Sequence, residues 1–188
     1  MKLALAEETR IFLVLVPHRD IRLVLRKYSD TLFKAGLAGA YHFPWVAPLA
    51  AISRPLNAEE LKHCARSIRE AVGGKILAHE AAAAAFPADK DGTLLFGPRL
   101  DLSITPNTLF GSESAVKTTG VFSPPVIGSC LLSAGKDEVS ALPHPPPLSF
   151  RAAAVANMLW RPLRSGGSVI GYKWKIGNLI WLAPVRKN

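Results

Sequence analysis

The chain has 188 residues, of which 49% are apolar and 20% charged, and it carries a net charge of +9. That length suits one sizeable core better than two, and that composition excludes a disordered chain. No stretch reaches the roughly 18 uninterrupted apolar residues of a membrane span.

Further exclusions come from particular residues. Glu7, Glu8 and Arg10 cut the opening apolar run too short for a secretory signal. Cys64 and Cys130 lie far apart in apolar surroundings. They predict two buried thiols in a reduced, cytoplasmic protein rather than a disulfide or a metal site. Fifteen prolines and fourteen glycines spread along the chain point to many short elements joined by turns. The charge is one-sided. After Glu138 there is no Asp or Glu, while Arg151, Arg161, Arg164, Lys173, Lys175, Arg186 and Lys187 follow. Such a surface attracts phosphate-bearing partners by Coulomb attraction and counterion release, unless it is only a solvated basic face.

Arg10 to Val16 is a continuous apolar run with β-branched members, bounded by Pro17, and reads as a buried strand. Asp20 is placed to cap a helix reaching about Ala35. Ile21, Val24, Leu25, Tyr28, Leu32 and Ala35 share one face, and Gly36 stops it. Trp45 to Ser53 is apolar again, with Pro48 marking an edge strand or a bulge. Asn57 with Glu60 forms a capping box for a second helix, whose buried stripe is Leu61, Cys64, Ala65, Ile68 and Val72. Gly73-Gly74 ends it.

Lys75 to Phe86 is ambiguous, because Ala81 to Ala85 has helix propensity but short flanks. Thr93 to Phe96 and Arg99 to Ile104 alternate as strands do. Thr105 to Pro125 reads mostly as loop, Val126 to Leu132 as an apolar strand, and Pro143 to Pro147 as a stiff extended connector. Arg151 to Trp160 and Ile170 to Leu182 supply the last elements, around a turn at Gly166-Gly167.

The histidines, His18, His42, His63, His79 and His144, never fall at metal-ligand spacing with cysteines or carboxylates. No phosphate-cradling loop, dinucleotide fingerprint or nucleophile elbow occurs. No metal and no cofactor is therefore expected. His42, beside Tyr41, Phe43 and Trp45, is the best-placed acid/base or phosphate-binding group, or else an ordinary loop histidine near aromatics. In Gly171 to Gly177, Tyr172, Trp174 and Ile176 point one way on a strand, and Lys173 and Lys175 the other. The lysines would hold phosphate and the aromatics would stack on bases; alternatively, this is an amphipathic edge strand.

Taken in order, these segments resemble the 2H phosphoesterases, whose best-known branch is the 2′-5′ RNA ligase and cyclic phosphodiesterase group. The first strand and long helix match, as does WVAPLAAISRPLNAEELKHCARSIREAV where the first His-x-Thr strand and its acidic helix would lie. Phe86-Pro87 with TLLFGPRLDL resembles the FP turn between paired strands. Phe122-Ser123-Pro124 with VIGSCLL resembles the second His-x-Thr strand. FRAAAVANMLW, Gly166-Gly167 and Gly171-Tyr172 resemble the closing strands.

The motifs themselves are absent. Val46-Ala47-Pro48, or His42-Phe43-Pro44 in a shifted frame, stands at the first. Val126-Ile127-Gly128, or Pro125-Val126-Ile127, stands at the second. Family chemistry uses one histidine to activate the nucleophile and the other to protonate the leaving oxygen, and losing one such group costs on the order of 10²–10⁴ in rate.

The resemblance implies a single α+β domain over residues 1–188. Its fold would be bilobal and pseudo-symmetric, with two mainly antiparallel sheets around a central cleft and helices outside. It implies a catalytically degenerate monomer that binds RNA, a nucleotide or another phosphate ligand in the former active-site cleft. His42, Arg151, Tyr172, Lys173 and Lys175 are the expected contacts, and no catalytic residue is assigned beyond His42 as a candidate. Two alternatives stay open. One is an active phosphodiesterase, working on RNA 2′,3′-cyclic phosphates with non-family residues. The other is a protein-interaction module using apolar surface around Trp160 and Trp181.

Overall fold

The computed structural model describes residues 9–72, 76–85, 93–111, 116–122, 125–128, 130–132, 139–150, 153–166 and 168–182. It is an α+β structure built on two antiparallel sheets. The first sheet contains β1 (Arg10–Pro17), β2 (Ala47–Ile52), β5 (Thr118–Val121), β8 (Ala153–Ser165), β9 (Ser168–Ile176) and β10 (Ile180–Trp181). Its strand order is β10-β8-β1-β2-β5, with β9 on the same edge of β8 as β10. The second sheet, in order β6-β4-β3-β7, contains β3 (Ile76–Ala85), β4 (Leu94–Leu100), β6 (Cys130–Leu132) and β7 (Leu148–Phe150). Three α-helices, α1 (Arg19–Lys34), α2 (Ala58–Val72) and the short α3 (Pro106–Phe110), complete the elements with two 3₁₀ turns.

Each face of β1 has its own task. Leu13 and Leu15 point outward with Val155 into a core shared with Leu25 of α1 and with Leu61, Cys64 and Ile68 of α2. Phe12, Val14 and Val16 point inward, toward the second sheet. There they meet Phe43, Val46, Leu95, Phe122, Val126, Leu131, Met158 and Trp160, all buried. This apolar layer fills the space between the sheets. The farther half of α1 contributes Tyr28 and Leu32 to a third cluster, against Phe96 and Cys130 of the second sheet. One helix thus packs on both sheets.

Several local expectations hold. Asn57 accepts from the Glu60 N–H at 3.0 Å while Glu60 accepts from the Asn57 N–H at 2.8 Å, a reciprocal capping box. Cys64 and Cys130 are both buried. Gly36 takes the left-handed φ of 92° that releases the chain from α1. Among the described residues no helix is long and apolar enough to cross a membrane.

Others need correction. His18, not Asp20, caps α1: its Nδ1 accepts from the Asp20 N–H, and Asp20 sits in the first turn, where its charge suits the helix dipole. Ala35 is exposed rather than part of the buried face. Pro48 is not on an edge, because β2 lies between β1 and β5; instead, the β1–β2 register shifts beside it, the bulge reading. The alanine run is strand. Ala83 and Ala84 pair with Phe96 and Leu95, so small residues there lie opposite large ones. β4 runs through Gly97-Pro98, joining what read as two strands, and Asp101 to Ile104 is not strand. The stretch read as loop contributes α3 and β5, and β8 continues past Trp160 to Ser165.

Candidate functional site

The inner face of the first sheet ends in a row of aromatic and basic side chains. Arg10 on β1 lies opposite Trp160 on β8, and Trp160 lies opposite Trp174 on β9. Directly opposed residues share a face, so all of them look toward the second sheet. Trp160 is 4% exposed and closes the buried layer, whereas Trp174 is 46% exposed at its rim. Tyr172 stacks on Trp160 with ring centroids 4.8 Å apart and planes 18° apart. The Arg10 guanidinium lies 5.7 Å from the centre of the Trp160 ring, a cation–π distance.

His42 joins this row from a distant part of the sequence. A 3₁₀ turn at Ala38–Tyr41 delivers it, with its N–H bonded to the Gly39 carbonyl at 3.1 Å. Its ring lies 4.9 Å from that of Tyr172. Burial holds the imidazole below its usual pKa, so it is neutral at pH 7. A neutral ring against an aromatic stack can donate or accept one hydrogen bond and present a stacking surface.

Arg10 also lines an open cavity of about 230 Å³ at the end of β1 and β2, together with Thr9, Ser53 and Thr119. Ile11, Ala51 and Ile52 complete its lining, so the hollow mixes apolar surface with the hydroxyl residues Thr9, Ser53 and Thr119. The hollow and the aromatic row share Arg10.

The five binding residues expected from the sequence divide. His42 and Tyr172 come together. Lys173 and Lys175 lie on the opposite, outer face of β9, where Lys173 faces Arg161 across the strand pair. Arg151 lies outside the described residues. Trp160, expected on an apolar surface, is buried, while Trp181 is 55% exposed. His18 caps α1, His63 lies on the exposed side of α2 and His144 is exposed in the proline segment. His79 belongs to β3.

The segments standing where the two His-x-Thr motifs would lie meet in space. The Gly128 N–H donates to the Val46 carbonyl at 2.7 Å, and Val46 and Val126 both belong to the buried inter-sheet layer. An added Cβ at Gly128 would overlap Phe43, so the approach of these segments depends on the missing side chain. Valines there offer neither proton transfer nor a phosphate contact. Among the described residues, no group of three or more His, Cys, Asp or Glu gathers in metal-binding geometry.

Sequence reasoning missed Arg10, Thr9, Ser53 and Thr119. They lie in or just beyond the ends of β1, β2 and β5 and form no local motif, and only the pairing of β1, β2 and β5 brings them to one end of the sheet. Comparisons with protein-family models, with curated proteins and with solved structures found no match to this chain.

Proposed function

We propose that the chain is a catalytically degenerate relative of the 2H phosphoesterases that binds a nucleotide or RNA at the rim of its former cleft. The observation that carries this reading is the shared position of Arg10. It borders a hollow that carries Thr9, Ser53 and Thr119 among apolar neighbours on one side and the aromatic row Trp160, Tyr172 and His42 on the other. A phosphate in the hollow and a base against Tyr172 and Trp174 would use both. The two antiparallel sheets and the meeting of the segments around Val46 and Val126 support the family reading. The apolar filling between the sheets moves the ligand from the cleft interior to its rim.

The reading predicts binding without turnover. Among the described side chains, His42 is the one imidazole beside the aromatic row, and a single imidazole cannot act as base and acid in the same step. Binding of a nucleoside monophosphate should quench the fluorescence of exposed Trp174. Trp174→Phe should remove that quench, and Arg10→Gln should weaken binding about 10-fold or more, as a lost charge-assisted contact does. A 2′,3′-cyclic nucleotide should be hydrolysed at the background rate by both wild type and His42→Ala. Saturable turnover lost in His42→Ala would favour the enzymatic reading instead.

A second reading rests on a separate observation. Trp174 on β9, and Leu179 and Trp181 at β10, are large exposed apolar side chains near one edge of the sheet, which suits a protein partner. Sedimentation of wild type and Trp181→Ser would test it, with partner or self-association lost in the variant.

A further inference from the structure

The β8–β9 hairpin reaches beyond the sheet that carries it. β1 pairs with β8 as far as Trp160, whereas Arg161 to Ser165 pair with β9 alone. On β9, Lys173, Trp174 and Lys175 are exposed, whereas Tyr172 is half-buried against Trp160 and His42. The hairpin's inner face carries Tyr172 and Trp174. On its outer face, Arg161 stands directly opposite Lys173, and Lys175 lies two residues along the same strand. Like charges directly opposite on one sheet face repel. Among the described residues, Arg54 pairs with Glu60 and Lys62 with Glu59. Arg161, Lys173 and Lys175 are in neither of these pairs, and the sequence holds no Asp or Glu after Glu138. A cationic row without a carboxylate partner and an exposed tryptophan, on the two faces of one edge hairpin, suit a chain of alternating phosphates and bases better than a single nucleotide.

We infer that the ligand is a single-stranded polynucleotide draped over the β8–β9 ribbon, bases on the Trp174 face and flanking phosphates on the Arg161, Lys173 and Lys175 face. This rests on the rim-binding reading and extends it from one nucleotide to several. A duplex, with its bases paired, offers phosphates but no free base to stack. A self-dimer through this edge is disfavoured, because it would bring two sets of lysines together.

Fluorescence polarisation with a labelled 12-nucleotide single-stranded RNA, and with a labelled nucleoside monophosphate, tests the inference at 50 and 200 mM salt. Each phosphate contact contributes about 0.7 to the log–log salt slope for single strands. The triple variant R161Q/K173Q/K175Q should therefore flatten the slope by about 2. Its affinity for the 12-mer should fall about 20-fold less than that of wild type across this salt range. Its affinity for the monophosphate should stay within about twofold of wild type. W174A should weaken both probes. These substitutions alter exposed or half-exposed side chains, and circular dichroism checks that the variants fold. A 12-mer that binds no tighter than the monophosphate, an unchanged salt slope in the triple variant, or a duplex bound as tightly as the single strand would each overturn the inference. Each of these leaves the rim site standing if the monophosphate still binds in a Trp174-dependent way. Failure of both probes to bind would overturn both.

Discussion

Asn157 joins two parts of the fold that nothing local connects, and its removal should be costly. It lies on the outer face of β8. Its Oδ1 accepts from the Leu56 N–H at 2.9 Å, and its Nδ2 donates to the Leu56 carbonyl at 2.7 Å. The side chain thereby satisfies both backbone groups of Leu56 in the loop that leads into α2. Its own carbonyl accepts from the Gly177 N–H at 2.8 Å, where the chain passes from β9 to β10. Asn157→Ala removes both side-chain bonds and strands a donor and an acceptor. An unsatisfied buried polar group costs about 1–3 kcal/mol. The site is partly buried, so the lower half of that range applies to each group, giving roughly 2–4 kcal/mol in total. For a domain of this size, each kcal/mol lowers Tm by about 2–4 °C, so the variant should melt roughly 4–16 °C below wild type. Asn157→Asp separates geometry from charge. It keeps the acceptor for the Leu56 N–H but turns a carboxylate oxygen toward the Leu56 carbonyl. It should melt at least as low as Asn157→Ala at pH 7 and recover as the carboxylate is protonated. Thermal melts by circular dichroism measure both. An Asn157→Ala Tm within 2 °C of wild type would refute the reasoning.

Further expectations concern pH, packing and thiols. His42 has a folded-state pKa below its unfolded value because burial disfavours the charged ring. Its protonation therefore opposes folding, and stability should fall as pH drops below about 6.5, the unfolded value, toward the folded value. His42→Gln should flatten urea midpoints across that window. Glu60, bound by both Arg54 nitrogens at 2.6 and 2.9 Å, has its carboxyl pKa lowered to about 2, chiefly by the Arg54 hydrogen bonds. Its contribution is present above about 4.5, the unfolded value, and is lost as pH falls toward the folded one; Glu60→Gln should lose that dependence in acid titrations followed by circular dichroism. Gly128→Ala should destabilise by about 1–3 kcal/mol through overlap with Phe43, and Phe43→Leu in the same chain should restore part of it in denaturant melts. Burial raises the Cys64 thiol to about 12, and its Sγ donates to the Leu109 carbonyl at 3.2 Å. Ellman's reagent at pH 8 should therefore leave Cys64 unmodified until denaturant is added.

What could be read from the sequence depended on how local its cause was. The Asn57–Glu60 box was legible because both partners lie within one turn. The strand at Arg10 to Val16 was legible because a strand buried on both faces shows as an unbroken apolar run. The Ala81 to Ala85 run was not, since alanine favours helix and only the large side chains of Leu95 and Phe96 opposite it make it strand. α3 and β5 are short elements held by partners far along the chain, as when the Ser53 N–H bonds the Lys117 carbonyl. The site divides in the same way. The alternation that sends Tyr172 and Lys173 to opposite faces was visible. The contact of His42 with Tyr172 was not, because it depends on α1, the 3₁₀ turn and both sheets being in place.

The place of β8 in the first sheet bears on the life of the chain before it is finished. β1 is made long before β8, yet one of its edges is completed only by Ala153 to Trp160. Until that late segment is available, β1 offers an unpaired edge, and the apolar side chains of its inner face lack Met158 and Trp160. Ordering of this sheet must therefore wait until β8 has been synthesised, and contacts of such long sequence separation slow it further. A ribosome-bound chain arrested before residue 153 should keep β1 open to protease and to holdase chaperones. Release of the last strands should protect β1, the aromatic row and the Arg10 hollow in a single step.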